Sequence, residues 1–147
     1  MRILKVKTEK RRLGNFGERR AALYLWLHGY IVHRRNYTGG EIHGVDIPEI
    51  DIIASRGDTV AYVEVKTRTV EKQDPCEPRP ASAVTPEKMR KIMQAASWYR
   101  AWHARGKKMR FDIIEVFVTE KNGRRRVKRI NHVVGAYTKN TLYRGRR

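Results

Sequence analysis

Glu49-Ile50-Asp51-Ile52-Ile53-Ala54-Ser55, then Arg56-Gly57-Asp58-Thr59, then Val60-Ala61-Tyr62-Val63-Glu64-Val65-Lys66-Thr67-Arg68, reads as a β-hairpin. Both outer runs alternate with period two and are rich in β-branched residues, and a short Gly/Asp turn separates them. Symmetric closure over that turn sets Asp51 opposite Glu64 and Glu49 opposite Lys66. All four then share one face, because residues two apart on a strand point the same way. Ile50, Ile52, Ala61, Val63 and Val65 fill the other face as a buried layer. Directly opposed carboxylates repel and weaken a sheet. A strand pair that keeps them, with an ammonium two residues on, points to a bound cation and a phosphate.

Outward from the hairpin, a helix is expected from Asn15, with Asn15 as its cap, Glu18 in its first turn and Gly29 as its stop. Tyr30 to Asn36 is a first strand, and the glycine-rich stretch from Thr38 to Pro48 is a loop. Glu71 to Thr85 is a proline-rich linker. Thr85-Pro86-Glu87 then starts a second helix, with a capping hydroxyl, proline in the first turn and an early acid. Met89, Ile92, Met93, Ala96 and Tyr99 form its core stripe, while Lys91, Gln94 and Trp98 share another face. Met109 to Thr119 reads as a strand, Lys121-Asn122-Gly123 as a turn, and Arg125 to Val134 as a strand or a short helix. The fold class is α/β, in the order α-β-β-β-α-β, with a mixed central sheet flanked by helices. Residues 1–12 form a basic N-terminal arm, 13–137 a single domain and 138–147 a basic C-terminal tail.

The formal net charge is +18, and it is unevenly spread. Ten of the fifteen acidic residues lie between Glu41 and Glu87, whereas Lys121 to Arg147 holds ten Lys/Arg and no acid. That asymmetry suits a polyanion-binding surface around a local acidic centre. No stretch is apolar enough for a membrane span, the N-terminus lacks the apolar run of a signal peptide, and the lone Cys76 excludes an internal disulfide. A cytoplasmic protein with a nucleic-acid partner and no membrane follows as the expectation, DNA favoured over RNA, with a homodimer left open.

Phosphodiester hydrolysis needs a hard cation to polarise the phosphate and acidify a bound water. Mg²⁺ (or Mn²⁺) takes oxygen ligands, and only one or two protein carboxylates. Asp51 and Glu64 supply those, the Val65 carbonyl offers a third oxygen, and Lys66 is placed to stabilise charge developing on the phosphate. Lys88, Lys91, Arg124, Arg125 and Arg126 are the candidate phosphate contacts.

Gly14-Asn15-Phe16-Gly17-Glu18, Ala21-Ala22, Tyr24-Leu25, Gly29-Tyr30, Arg35-Asn36-Tyr37, Glu49-Ile50-Asp51-Ile52-Ile53-Ala54 and Val63-Glu64-Val65-Lys66-Thr67-Arg68 together resemble the YraN family of small bacterial proteins. The similarity continues through Lys88, Arg110-Phe111-Asp112 and Asn131-His132. That family belongs to the PD-(D/E)xK nuclease-like superfamily and resembles Holliday-junction resolvases in its core. The resemblance implies a restriction-endonuclease-like core with Asp51, Glu64 and Lys66 as the site. It also implies that Glu18 reaches the site from the first helix, through a metal-bound water. Three departures stand out. Thr38 to Pro48 looks like an insertion, Pro48 replaces a glycine, and Trp98 stands where a tyrosine should follow the helix glutamine matched by Gln94.

Simpler roles stand beside these. Glu18 could only complement the helix dipole, Lys66 could only pair with Glu49, and Asp51 with Glu64 could be solvated strand acids. Glu41, His43 and Asp46 have metal-like spacing in a loop. His132 suits hydrogen bonding better than base catalysis, Asp112 suits a backbone or basic partner, and Trp98 and Trp102 suit packing. The expected function is a metal-dependent endonuclease on DNA or RNA, selective for structure rather than base sequence. The alternatives are a non-catalytic nucleic-acid-binding module on a nuclease fold and a basic RNA-associated protein.

Overall fold

The computed structural model describes residues 1–38, 49–79 and 84–144. Its elements are α1 (Arg2–Leu27), β1 (Ile31–Tyr37), β2 (Ile50–Arg56), β3 (Thr59–Thr69), α2 (Pro86–His103), β4 (Lys108–Lys121), β5 (Arg124–Tyr137) and α3 (Lys139–Arg144). The five strands form one mixed sheet in the order β1-β2-β3-β4-β5. Only β3 and β4 are parallel, and α2 lies in the connection between them. The segment Arg125–Val134 is therefore part of a fifth strand, not a helix.

The helix expected from Asn15 starts at Arg2 instead. The Lys, Arg, Glu and Leu residues before Gly14 are good helix formers, and one interior glycine costs only about 1 kcal/mol, so the helix runs through Gly14-Asn15. Residues 1–12 are thus the exposed opening turns of α1. The stop is where the sequence places it. Gly29, at φ +85°, lets its own amide and that of Tyr30 turn back onto Trp26 and Leu25 carbonyls. At α2, Thr85 Oγ1 accepts from the Lys88 amide at 3.2 Å, with Pro86 and Glu87 in the first turn as expected. Asn122 and Gly123 both take positive φ, as a two-residue hairpin turn with right-handed twist requires.

The central strands β2, β3 and β4 are buried on both faces, whereas the edge strands β1 and β5 are mostly exposed or half-buried. On one face, Ala21 and Leu25 of α1 cover Ile52, Ala54, Ala61, Val63, Ile114 and Val116. On the other, Met89, Ile92, Met93, Ala96 and Tyr99 of α2 cover Ile53, Val60, Tyr62, Phe111 and Ile113. The expected apolar layer is found under α1 with one exception, because Ile50 belongs to the α2 side. Strand β2 first pairs with β3 at Ile52↔Val63, so the alternation breaks where β2 leaves its neighbour. Trp98 is half-buried, but Trp102 is 70% exposed and packs in no core, contrary to the expectation.

Candidate active site

The hairpin register is the expected one. Ladder pairs run from Arg56↔Thr59 to Ile52↔Val63, one step short of Asp51 and Glu64. Past the last pair, the Val65 amide would lose its ladder partner. Asp51 Oδ2 accepts that proton at 2.8 Å, which holds the carboxylate against β3. Val65 thus meets Asp51 through its N–H.

Glu64 is 3% exposed, on the face covered by α2. The Lys66 ammonium lies 3.4 Å from its Oε1. Lys88, in the first turn of α2, donates to the same oxygen. Oε2 of Glu64 is buried without a donor, and so is Oε2 of Glu18. The Asp51 and Glu64 carboxylates are near enough for the charge of one to act on the other. Burial, and then the Glu64 charge, push the Asp51 carboxyl up to about 8, against the Val65 amide bond.

Glu18 reaches the same acidic centre from α1. Its carboxylate lies 3.8 Å from the Arg35 guanidinium. Burial raises its carboxyl above the usual range, Arg35 draws it back, and the charges of Glu49 and Glu64 add to the rise. Glu18 sits deep inside a 26-residue helix, so it does not complement the N-terminal dipole. Gly17 makes this approach feasible, since a Cβ there would lie 1.7 Å from Thr67 Oγ1.

Among the described residues, no three His, Cys, Asp or Glu side chains converge as a ready-made metal cage. The donor set nevertheless fits a hard cation that keeps most of its waters. It offers two adjacent carboxylates, a bare buried oxygen on Glu64 and a third acid, Glu18, nearby. Glu41, His43 and Asp46 lie outside the described residues.

Of the candidate phosphate contacts, Lys88 is inside the site itself, and Lys91 pairs with Glu87 at 3.7 Å on the outer side of α2. Gln94 is exposed, away from the buried stripe of α2. Arg124 and Arg126 are exposed on β5, whereas Arg125 is bonded to Glu120 at 2.7 Å and Glu9 at 3.0 Å. Sequence reasoning missed the Lys88–Glu64 contact and the place of Arg35 beside Glu18. The one available signal was the strong helix start at Thr85, which puts residue 88 in a first turn.

A second buried charge cluster lies apart from this centre. Asp112 is fully buried and accepts from Arg110 Nε at 2.9 Å and Nη2 at 2.8 Å, from the Gly135 amide at 2.9 Å, and pairs with His132 Nε2 at 2.8 Å. Arg110 also donates to the Tyr30 hydroxyl at 2.6 Å. His132 is thus a hydrogen-bonding histidine and Asp112 has a backbone and a basic partner, each as its sequence context suggests, whereas that context does not foresee their bond to each other.

Residues 17–116 match the model of a family described as uncharacterised protein family UPF0102. The chain is 36% identical over 114 residues to a UPF0102 protein of Caldicellulosiruptor saccharolyticus, covering 77% of this chain and 88% of the relative. It is 36% identical over 126 residues to one of Clostridioides difficile, covering 84% and 95%. It is 41% identical over 108 residues to one of Chlorobium phaeobacteroides, covering 72% and 76%.

Proposed function

We propose that this chain, which belongs to the uncharacterised protein family UPF0102, is a metal-dependent endonuclease acting on DNA in preference to RNA. The observation that carries the reading is the carboxylate pair of half-buried Asp51 and buried Glu64, with two ammonium groups on one oxygen of Glu64. A buried carboxylate pair with nothing to bind destabilises a sheet, and such pairs concentrate at functional sites.

Asp51 and Glu64, with the Val65 carbonyl as a further oxygen, would hold Mg²⁺ or Mn²⁺. The ion, when bound, supplies Lewis-acid polarisation of the phosphate and an acidified water. Lys66 neutralises the charge that gathers on the phosphate as the bond to the leaving oxygen lengthens. Lys88 offers a second ammonium at the same place, and once Glu64 serves another cation it is free to turn to the phosphate. Glu18 orients the attacking water and accepts its proton, a role suited by its raised proton affinity. The chain charge of +18 favours contacts to backbone phosphates, which select nucleic-acid structure over base sequence.

One observation favours a second reading, a binding module without catalysis: Lys66 and Lys88 already compensate Glu64. Labelled DNA and RNA duplexes, junctions and single strands, incubated with Mg²⁺ or Mn²⁺ and with chelator, separate the two. The nuclease reading expects metal-dependent cleavage that Asp51→Asn abolishes while binding without metal holds or tightens. Binding with no cleavage across the whole panel hands the function to the binding module. The described residues contain no helix long and apolar enough to cross a membrane.

A further inference from the structure

We infer that the groove between the tip of the β4–β5 ribbon and the turn after β3 binds a second stretch of phosphodiester backbone, belonging to the nucleic acid whose reacting phosphate lies at Asp51 and Glu64. This rests on the nuclease reading above and adds a substrate-length requirement to it.

The ribbon exists because β4 and β5 outrun their neighbour. Strand β3 ends its pairing at Thr69↔Val118, and β4 and β5 continue to Lys121↔Arg124. The overhang and the turn enclose a cavity of about 770 Å³, lined in part by Lys72, Lys121, Arg124 and Arg126, with Glu71 and Glu120 as its acids. Lys128 fixes the turn against β5 by donating to the carbonyls of Lys72, at 2.7 Å, and Asp74.

The register decides which face these charges occupy. Glu64, on the α2 side, is level with Ile113, and Lys66 with Glu115. Alternation along β4 and the pairs Thr119↔Arg126 and Lys121↔Arg124 keep Arg126 and Arg124 on that face. Arg125 falls on the opposite face, where Glu9 and Glu120 neutralise it. Glu120 lines the groove but is already paired with Arg125, which leaves four cations against Glu71. An exposed concentration of one charge sign, on the same sheet face as a phosphate-cleaving centre, is complementary to the same polyanion.

The spacing sets the length of the ligand. From the level of Lys66, opposite Glu115, to Lys121 is six residues of β4. At about 3.3 Å per residue this is about 20 Å, or about six nucleotide steps of a B-form strand. A substrate that ends sooner reaches the centre and misses the groove.

The test uses the full chain carrying Asp51→Asn, without metal, and fluorescent DNA duplexes of about 6 and about 24 base pairs, read by anisotropy across salt. The long duplex is expected to bind more tightly than the short one. Arg124→Gln with Arg126→Gln should weaken long-duplex binding by about tenfold and lower the salt slope by about 2, while leaving the short duplex within about twofold. Arg124→Lys with Arg126→Lys should restore the affinity, since lysine still serves as a point charge for phosphate. Arg19→Gln with Arg105→Gln removes equal charge from exposed sites elsewhere and should affect both lengths alike. Equal losses on the two lengths, a loss no larger than that of the Arg19/Arg105 variant, or no rescue by lysine overturns the groove and leaves the nuclease reading standing. A wild type that neither binds nor cleaves DNA overturns both.

Discussion

Lys88 Nζ and Glu64 Oε1 are bonded across 24 residues of sequence, on the oxygen that Lys66 approaches to 3.4 Å. The contact ties the first turn of α2 to the buried carboxylate of β3. Lys88→Met keeps the aliphatic stem and removes the charge. Glu64 then keeps only Lys66, and stability should fall by about 1 to 2 kcal/mol, because the Lys88 end of the pair is partly solvated. Affinity for Mn²⁺ should rise, since a competing cation has left the carboxylate. Urea unfolding and calorimetric Mn²⁺ titration measure the two effects, and an unchanged Mn²⁺ affinity would place the ion away from Glu64.

The Asp51–Glu64 pair makes the metal-free protein less stable as pH rises. Asp51 has its carboxyl raised to about 8 in the fold, far above its unfolded value near 4. The folded state therefore holds a proton that the unfolded state has lost. The stabilising contribution is complete below about pH 4 and is lost as pH climbs toward about 8. Thermal melts of wild type in chelator should show this decline, and Asp51→Asn, which cannot ionise, should flatten it. Added Mn²⁺ should stabilise wild type more at pH 8 than at pH 6, because the ion must displace that proton. A wild type with the pH profile of Asp51→Asn would contradict the raised Asp51 carboxyl.

The part of this site that lies within one hairpin is legible in the sequence. A two-residue turn sets the register, and the register brings Asp51 and Glu64 together one step beyond its last pair, Ile52↔Val63. The α1-side layer of Val63, Ala61 and Ile52 follows from the same alternation. Contacts that depend on packing between distant elements are not legible. Nothing local says that residue 88 meets residue 64, or that Arg35 stands beside Glu18. The start of α1 is misread for a different reason. Gly14-Asn15 has the chemistry of a boundary, yet favourable residues on both sides carry the helix through it. Arg124, Arg125 and Arg126 look equivalent as a run, and only the pleat of β5 separates the paired arginine from its neighbours.

Gly17 is required for close approach of α1 to β3. A methyl group there would lie 1.7 Å from Thr67 Oγ1 and 2.8 Å from Thr67 Cβ, so helix and strand must separate. Gly17→Ala should destabilise the protein by about 1 to 3 kcal/mol, as overpacking does in other cores. Activity should fall further than stability, because the displaced turn carries Glu18. Thr67→Gly removes the opposing atoms, so the double variant should recover part of the loss. A double-mutant cycle with a coupling near zero would mean that the contact relaxes freely.

Asp112 tests whether the second charge cluster is structural. Burial alone pushes its carboxyl up, but bonds from His132, Arg110 and the Gly135 amide outweigh this and hold it below the ordinary range. A carboxylate held low in the fold stabilises above its unfolded value near 4, and that contribution is lost as pH falls through its folded value. Asp112→Ala leaves the Arg110 guanidinium half-buried with only the Tyr30 hydroxyl, and removes a partner from the nearly buried His132. The expected cost is about 3 to 5 kcal/mol, the range for breaking a buried ion pair from one side. Asp112→Asn keeps the shape and some of the bonds and should cost less. Chemical denaturation at pH 7 ranks the two variants, and at pH 3 the gap from wild type should narrow. Cleavage by the folded fraction of Asp112→Asn should match wild type, because Asp112 lies level with Val63 on the face covered by α1, opposite to Glu64. Loss of cleavage in a fully folded Asp112→Asn would instead assign this cluster a part in the chemistry.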